Sequence, residues 1–146
     1  MNDLEFMRRA LLLAAAGVGQ TGDNPSVGCV IVRDGVVISE ARTADGGRPH
    51  AEEEAVAQAG ERASDATAYV TLEPCAKRSS GAVSCADRLI QAGVARVVIG
   101  AADPHPFAAG AGVARLRAAG VRVETGLLAE EACTQNAGFF ARWTKP

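Results

Sequence analysis

Apolar positions along the chain change their period several times, and each change marks an element. Leu4, Met7, Leu11, Leu12 and Ala15 recur at three- and four-residue steps, so the chain opens with an amphipathic helix. Turn chemistry follows in "TGDNPSVG", Thr21 to Gly28. The run "VGCVIV", Val27 to Val32, suits a strand buried on both faces. Asp34-Gly35 separates it from a second apolar run, which is a hairpin signal. Val36 to Ala41 is therefore predicted to return antiparallel beside the first strand.

After a loop with Gly46, Gly47 and Pro49, His50 to Ala63 reads as a second helix. Pro49 suits its first position, and Glu52, Glu53 and Glu54 suit its positive end. Ala66 to Leu72 is a third strand. Ser84 and Asp87 start a helix that runs through Ala92 and stops at Gly93. Ala95 to Gly100 is a fourth strand, Ala109 to Ala119 a helix ended by Gly120, Val121 to Glu124 a fifth strand, and Leu128 to about Gly138 a last helix. A hairpin followed by helix–strand alternation predicts an α/β fold with a mixed sheet and helices on both faces. The later strands should be parallel, with right-handed crossovers. Such sheets gather their chemistry at the carboxyl ends of strands, and Cys75 lies three residues beyond one of them.

Length and composition narrow the picture. At 146 residues the chain is expected to be a single domain, 1–146, large enough to bury a core. Aromatic residues are only 4%, so Ala, Val, Leu and Ile must fill that core. A net charge of −2 argues against a sequence-independent grip on nucleic acid, which needs a concentrated basic face. Arg8 to Gly19 imitates a signal peptide, but Asp3 and Glu5 precede the arginines and the helical period claims the same residues. No stretch approaches the roughly 18 apolar residues of a membrane span. We therefore expect a cytoplasmic protein, no membrane partner, and reduced cysteines, which disfavours a Cys75–Cys85 disulfide.

The segment "TLEPCAKRSSGAVSC", Thr71 to Cys85, holds two of the four cysteines in a loop with little to fill a core. His50 stands at a helix start with Glu52 two residues on. Residues so spaced lie about 200° apart around a helix and cannot share an ion at its side. Beyond the helix end they can, with His50 on the ion and Glu52 reaching a water upon it. One His and two Cys on zinc, with an unligated Glu moving protons, is the constellation of zinc deaminases. Three protein ligands, His50, Cys75 and Cys85, leave one position for water, and zinc lowers the pKa of such a water to about 7. Glu52 would take its proton and deliver protons to the ring nitrogen and the departing ammonia.

Taken singly, His50 reads as a surface helix residue, Glu52 as a complement to the helix dipole, and the cysteines as small apolar packing. A structural zinc site wants a fourth ligand, for which Asp87 or His105 can only be guessed. Cys29 and Cys133 read as ordinary packing. It is the combination and order of "HAE", a strand, "PC" and a helix-start Cys that favours the catalytic site.

At these residues the sequence resembles a known family. "NPSVGCVIVRDG", "PHAEEEAV", "TAYVTLEPC", "CADRLIQAGVARVVIGAADPHP" and "GVARLRAAGVRVETGLLAEEA" together resemble the diaminohydroxyphosphoribosylaminopyrimidine deaminase domain of bacterial riboflavin biosynthesis. That family belongs to the cytidine deaminase-like superfamily. The resemblance implies a three-layer α/β/α sandwich around a five-stranded mixed sheet, one Zn²⁺ per chain on His50, Cys75 and Cys85, and a proton shuttle at Glu52. It also implies a substrate contact at Asn24, which by sequence alone is a turn residue before Pro25.

This chain departs from the family near the expected pocket. Thr43 replaces a usual His, Glu54 a usual Asn, and His105 an Asn that often contacts substrate. The cysteine loop reads "AKRSSGAVS", with one extra residue and none of the usual His and paired Pro. Thr43 and His105 are thus candidate substrate contacts. Lys77, Arg78 and Arg48 read either as solvated charge or, less simply, as a phosphate grip for a ribotide. The chemistry implied is hydrolytic deamination of a small-molecule aminopyrimidine, first the riboflavin-pathway ribotide. Another base, nucleoside or amino-heterocycle is the alternative, and a non-catalytic zinc-stabilised module stands behind both. The family's oligomeric habit implies a homo-oligomer, with "FFARW", Phe139 to Trp143, facing either a partner or its own domain. The chain stops at Pro146 without the usual fused reductase, which leaves open a separate reductase acting on the product.

Overall fold

The hairpin at Asp34-Gly35 forms as its dipeptide demands, with φ of 53° and 76° at the two turn residues. Such a double positive-φ turn twists with the strands it joins. In the computed structural model, which describes residues 2–76, 83–105 and 108–142, it connects β1 (Gly28–Arg33) to β2 (Val36–Arg42). Upstream lies α1 (Asp3–Gly17). Downstream come α2 (Ala51–Ala59), a 3₁₀ turn (Gly60–Ala63), β3 (Thr67–Leu72) and α3 (Cys85–Gln91). The rest is β4 (Arg96–Ala101), α4 (Ala111–Ala118), β5 (Arg122–Thr125), α5 (Ala129–Gln135) and α6 (Ala137–Ala141).

The five strands form one mixed sheet in the order β2-β1-β3-β4-β5. β1 runs antiparallel to both neighbours, while β3, β4 and β5 are mutually parallel. Helices α1 and α5 pack on one face, and α2, α3 and α4 associate on the other. Helices on both faces of a mixed sheet follow from the alternation of elements, and the whole is the three-layer α/β/α arrangement that the family resemblance implies. Val30, Ile31, Val70, Val97, Val98 and Ile99 fill its centre and are wholly buried. Burying each side chain of this size is worth about 1.5–3 kcal/mol.

Four local expectations are corrected. Helix α1 packs through Phe6, Met7, Ala10, Leu11, Ala14 and Gly17, which leaves Leu12 73% exposed and Leu4 and Ala15 at the surface. The reason is proximity: the α1 backbone lies so close to β1 that a Cβ on Gly28 would collide with the Ala10 carbonyl. Small residues permit that approach, and Phe6 closes the edge against Tyr69 with ring centroids 5.2 Å apart. Met7 and Leu11 lie on the expected face, whereas Leu4 and Leu12 do not.

Pro49 is not the first residue of α2, because His50 takes the extended N-cap conformation and the helix begins at Ala51. That helix also ends early, at Gly60 with φ of 56°. The single helix foreseen from Leu128 is two, broken at Asn136, whose side chain turns away to bind another loop. Ser84 caps α3 as foreseen, its Oγ accepting from the Asp87 N–H at 3.0 Å. The first turn of α4 meets the segment after β3 so tightly that a Cβ on Gly112 would strike the Pro74 carbonyl.

Candidate functional site

Three backbone devices bring distant residues to one point. His50 is held at the head of α2, where its N–H donates to Glu53 Oε2 at 2.7 Å. Glu53 in turn faces Arg88 of α3, with 3.3 Å between Oε1 and Nε. Cys75 follows the carboxyl end of β3 through Glu73-Pro74. Cys85 is the first residue of α3, and the next residue's N–H donates to the Cys75 carbonyl at 3.0 Å.

The donor atoms of His50, Cys75 and Cys85 all lie within 4.8 Å of one another. His50 Nδ1 sits 3.3 Å from Cys85 Sγ, and the Cys85 N–H points to Cys75 Sγ at 3.3 Å. The hydrogen bond from Cys85 pulls the Cys75 thiol down to about 4, and the same contact pushes Cys85 up. Two sulfurs this close cannot both carry full charge without a cation between them. One imidazole and two sulfurs, half-buried to buried, fit a zinc ion by donor type and by mutual reach. The fourth-ligand guesses do not join them: among the described residues the group comprises these three, and Asp87 pairs with Arg115 of α4 at 2.9 Å.

Glu52, on the second residue of α2, is 4% exposed. Burial pushes its carboxyl up to about 7. It borders a cavity of about 190 Å³ together with His50 and Cys75. Asn24 and Thr43, the expected substrate contacts, line the same cavity. Asn24 Nδ2 donates to the Gly47 carbonyl at 2.9 Å, and Thr43 Oγ1 accepts from the Val27 N–H at 2.9 Å. His105 is not among the lining residues. Its N–H bonds Asp103 Oδ1 at 2.9 Å, and it is Asp103 that borders the cavity. Lys77 and Arg78 fall outside the described residues.

Sequence reasoning passed over Glu73 and Asp103, and considered Phe139 only as a packing or partner-facing residue. Glu73, 5% exposed, accepts backbone N–H bonds from Asp103, Gly110 and Val113 at 3.2, 3.0 and 3.1 Å. This one carboxylate suspends the segment after β4 and the start of α4 above the site. An acidic residue wedged between a buried strand and Pro74-Cys75 was the available signal. Asp103 follows β4 as Cys75 follows β3, so strand ends alone would have found it. Burial raises its carboxyl above the usual range. Phe139 of α6 also borders the cavity.

Comparison with known proteins agrees with this geometry. Residues 1–101 match the family described as the cytidine and deoxycytidylate deaminase zinc-binding region. The chain is 50% identical to the riboflavin biosynthesis protein RibD of Escherichia coli over 142 residues, covering 97% of this chain but 38% of that protein. It is 44% identical to a diaminohydroxyphosphoribosylaminopyrimidine deaminase of Buchnera aphidicola, covering 97% of this chain and 96% of the relative. The solved structure of Acinetobacter baumannii RibD superposes with a TM-score of 0.92 at 45% identity, over 97% of this chain and 40% of the other. The chain thus spans about two fifths of several relatives and nearly the full length of another.

Proposed function

This chain belongs to the cytidine and deoxycytidylate deaminase zinc-binding family, and from that premise we propose that it hydrolytically deaminates the aminopyrimidine ribotide of riboflavin biosynthesis. The observation that carries the reading is the convergence of His50, Cys75 and Cys85 on one point beside a buried carboxylate and a small cavity. Relatives named for this deamination, one of them matched over almost its whole length, support the substrate.

His50, Cys75 and Cys85 would hold zinc, which supplies the Lewis acidity that makes water a nucleophile near neutral pH. Glu52 is the proton carrier. It stands on the cavity wall two residues from His50 and takes the two protons of the attacking water in turn, passing the first to the ring nitrogen and the second, from the hydroxyl left on carbon, to the leaving amine. The C–NH₂ bond breaks, a carbonyl forms in its place, and ammonia departs. A buried carboxylate suits this cycle because it is neutral or charged at modest cost in turn.

Asn24 and Thr43 orient the ring. With its amide nitrogen engaged by Gly47, Asn24 offers its carbonyl oxygen to a ligand N–H. Thr43, whose oxygen accepts from Val27, retains its hydroxyl proton to donate. A cavity of about 190 Å³ lies below the roughly 300–1,000 Å³ of drug-sized pockets. It suits one heterocyclic ring and leaves a ribose phosphate outside it. Lys77 and Arg78, between two donor cysteines in sequence, are our proposed phosphate contacts on charge and chain position alone. A Thermotoga maritima relative is titled as both deaminase and reductase, so a reductase is the natural consumer of the product, on this polypeptide or another.

Ammonia release from the ribotide, compared with cytidine and guanine, tests the assignment. Turnover of the ribotide with a kcat/KM at least tenfold above the others is expected; activity on cytidine or guanine alone would remove the ribotide.

A further inference from the structure

The cavity has one wall that the zinc chemistry does not require. Phe139 contributes the only phenyl ring among its described lining residues, in a chain where aromatics are 4% of the total. It arrives on α6, a short helix that would not form alone, and two contacts fix it there. The Phe140 ring meets it edge-on at 6.0 Å, and the Arg142 guanidinium lies 5.7 Å from its centroid. Arg142 is itself tied to the Asp23 carbonyl at 2.9 Å.

The start of α6 is anchored to the same loop. Asn136 Oδ1 accepts from the Ser26 N–H and its Nδ2 donates to the Ser26 carbonyl, both at 2.8 Å. Ser26 sits between Pro25 and Val27, which line the cavity beside Asn24. A two-bond clasp of one side chain on one residue's backbone fixes both distance and angle. Loop 23–27 and α6 therefore form one unit bordering the pocket.

We infer that Phe139 is a specificity-determining residue that stacks on the flat face of the substrate ring, and that Asn136 is a positioning residue that holds Phe139 and Asn24 in register. The inference rests on the aminopyrimidine reading above. A ring face is sequence-tolerant towards heterocycles but rejects non-planar ligands, which is how aromatic side chains hold bases elsewhere. Purely structural packing is the competing role, since Phe139 also touches the core.

Phe139→Leu separates the two, because leucine keeps apolar bulk and loses the π-face. The KM for the ribotide should rise about tenfold in Phe139→Leu and Phe139→Ala, with kcat changed less than threefold and the thermal midpoint of Phe139→Leu near wild type. Phe139→Trp should stay within threefold of the wild-type KM. Calorimetric affinity for the deaminated product should follow the KM. Asn136→Ala should raise KM about threefold, and adding it to Phe139→Leu should cost little more, since both act through one contact. A wild-type KM in Phe139→Leu, or a loss confined to kcat, overturns the stacking role; additive losses overturn the positioning role. Cytosine serves as a second, one-ring probe. A wild type that turns over cytosine but not the ribotide refutes the substrate reading and leaves Phe139 to be judged by its cytosine KM. One that turns over neither overturns both.

Discussion

His50, Cys75 and Cys85 are placed by backbone: a helix N-cap, a residue beyond a strand end, and the first residue of another helix. Asn24, Thr43, Asp103 and Phe139 are placed by side-chain hydrogen bonds that tie loops to one another across the chain. The three donors therefore depend on where secondary-structure elements start and end, with Glu53 and the close approach at Gly112 as their main outside supports. The rim rests instead on single side-chain contacts, and of the residues that make them Asn24, Thr43 and Glu73 themselves border the cavity. Of the departures from the resembling family, Thr43 lies on the cavity wall, whereas His50, Cys75 and Cys85 match the family pattern. Such a division lets the chemistry persist while the substrate drifts.

The largest expected effect comes from breaking the cradle itself. Cys85→Ser or His50→Ala should release zinc, seen by metal analysis, and reduce ammonia release by about 10³-fold or more. Retained stoichiometric zinc with full activity would show that the donor set is wrong. Glu52→Gln sharpens the contrast, since it should keep zinc and the fold while lowering kcat by about 10²–10⁴-fold. Normal turnover in that variant removes Glu52 from proton transfer.

On the rim, Glu73→Ala strips three backbone donors of their acceptor. A loss of about 3 kcal/mol or more in urea unfolding is expected, together with a raised KM from the released Asp103 segment. An unchanged stability would mean that the loop is held by other means. The smallest effect lies remote from both regions. Arg96, bonded to Asp3 at 2.6 and 3.0 Å, holds the Asp3 carboxyl down to about 2, with Tyr69 adding a hydrogen bond. Because the folded value is below the unfolded 3.8, the stabilisation is present above about pH 4 and lost as pH falls towards 2. The Asp3 side chain is 42% exposed, so screening holds the effect below about 1 kcal/mol. Asp3→Asn should therefore lower the thermal midpoint slightly at pH 7 and leave it unchanged near pH 2.

The same division explains what could be read in advance. Strand order aside, the sheet was legible because β-branched runs, Asp34-Gly35 and glycine stops are local signals. The donors were legible because His50 and Cys85 coincide with helix starts. Errors arose where tertiary contact overrode local pattern. Leucines in α1 suggested one face, yet alanines and Gly28 decided how the helix approaches the sheet. Continuous periodicity after Leu128 hid the break at Asn136, whose amide is claimed by Ser26, distant in sequence. Beyond the end of β4, the His105 N–H closes a turn on Asp103, and it is Asp103 that borders the cavity. Glu73 carried a local signal, an acid wedged between a buried strand and Pro74-Cys75, but its three backbone partners come from segments 30 to 40 residues away.

Position 112 gives the packing an unexpected reach. A mutational scan sorted by chemistry would rank this glycine among the bystanders, since it carries no donor and faces no ligand. Yet the Pro74 carbonyl occupies the space where its first side-chain atom would stand. Even a methyl group there must push the first turn of α4 and the Pro74-Cys75 peptide apart, so position 112 should tolerate replacement poorly.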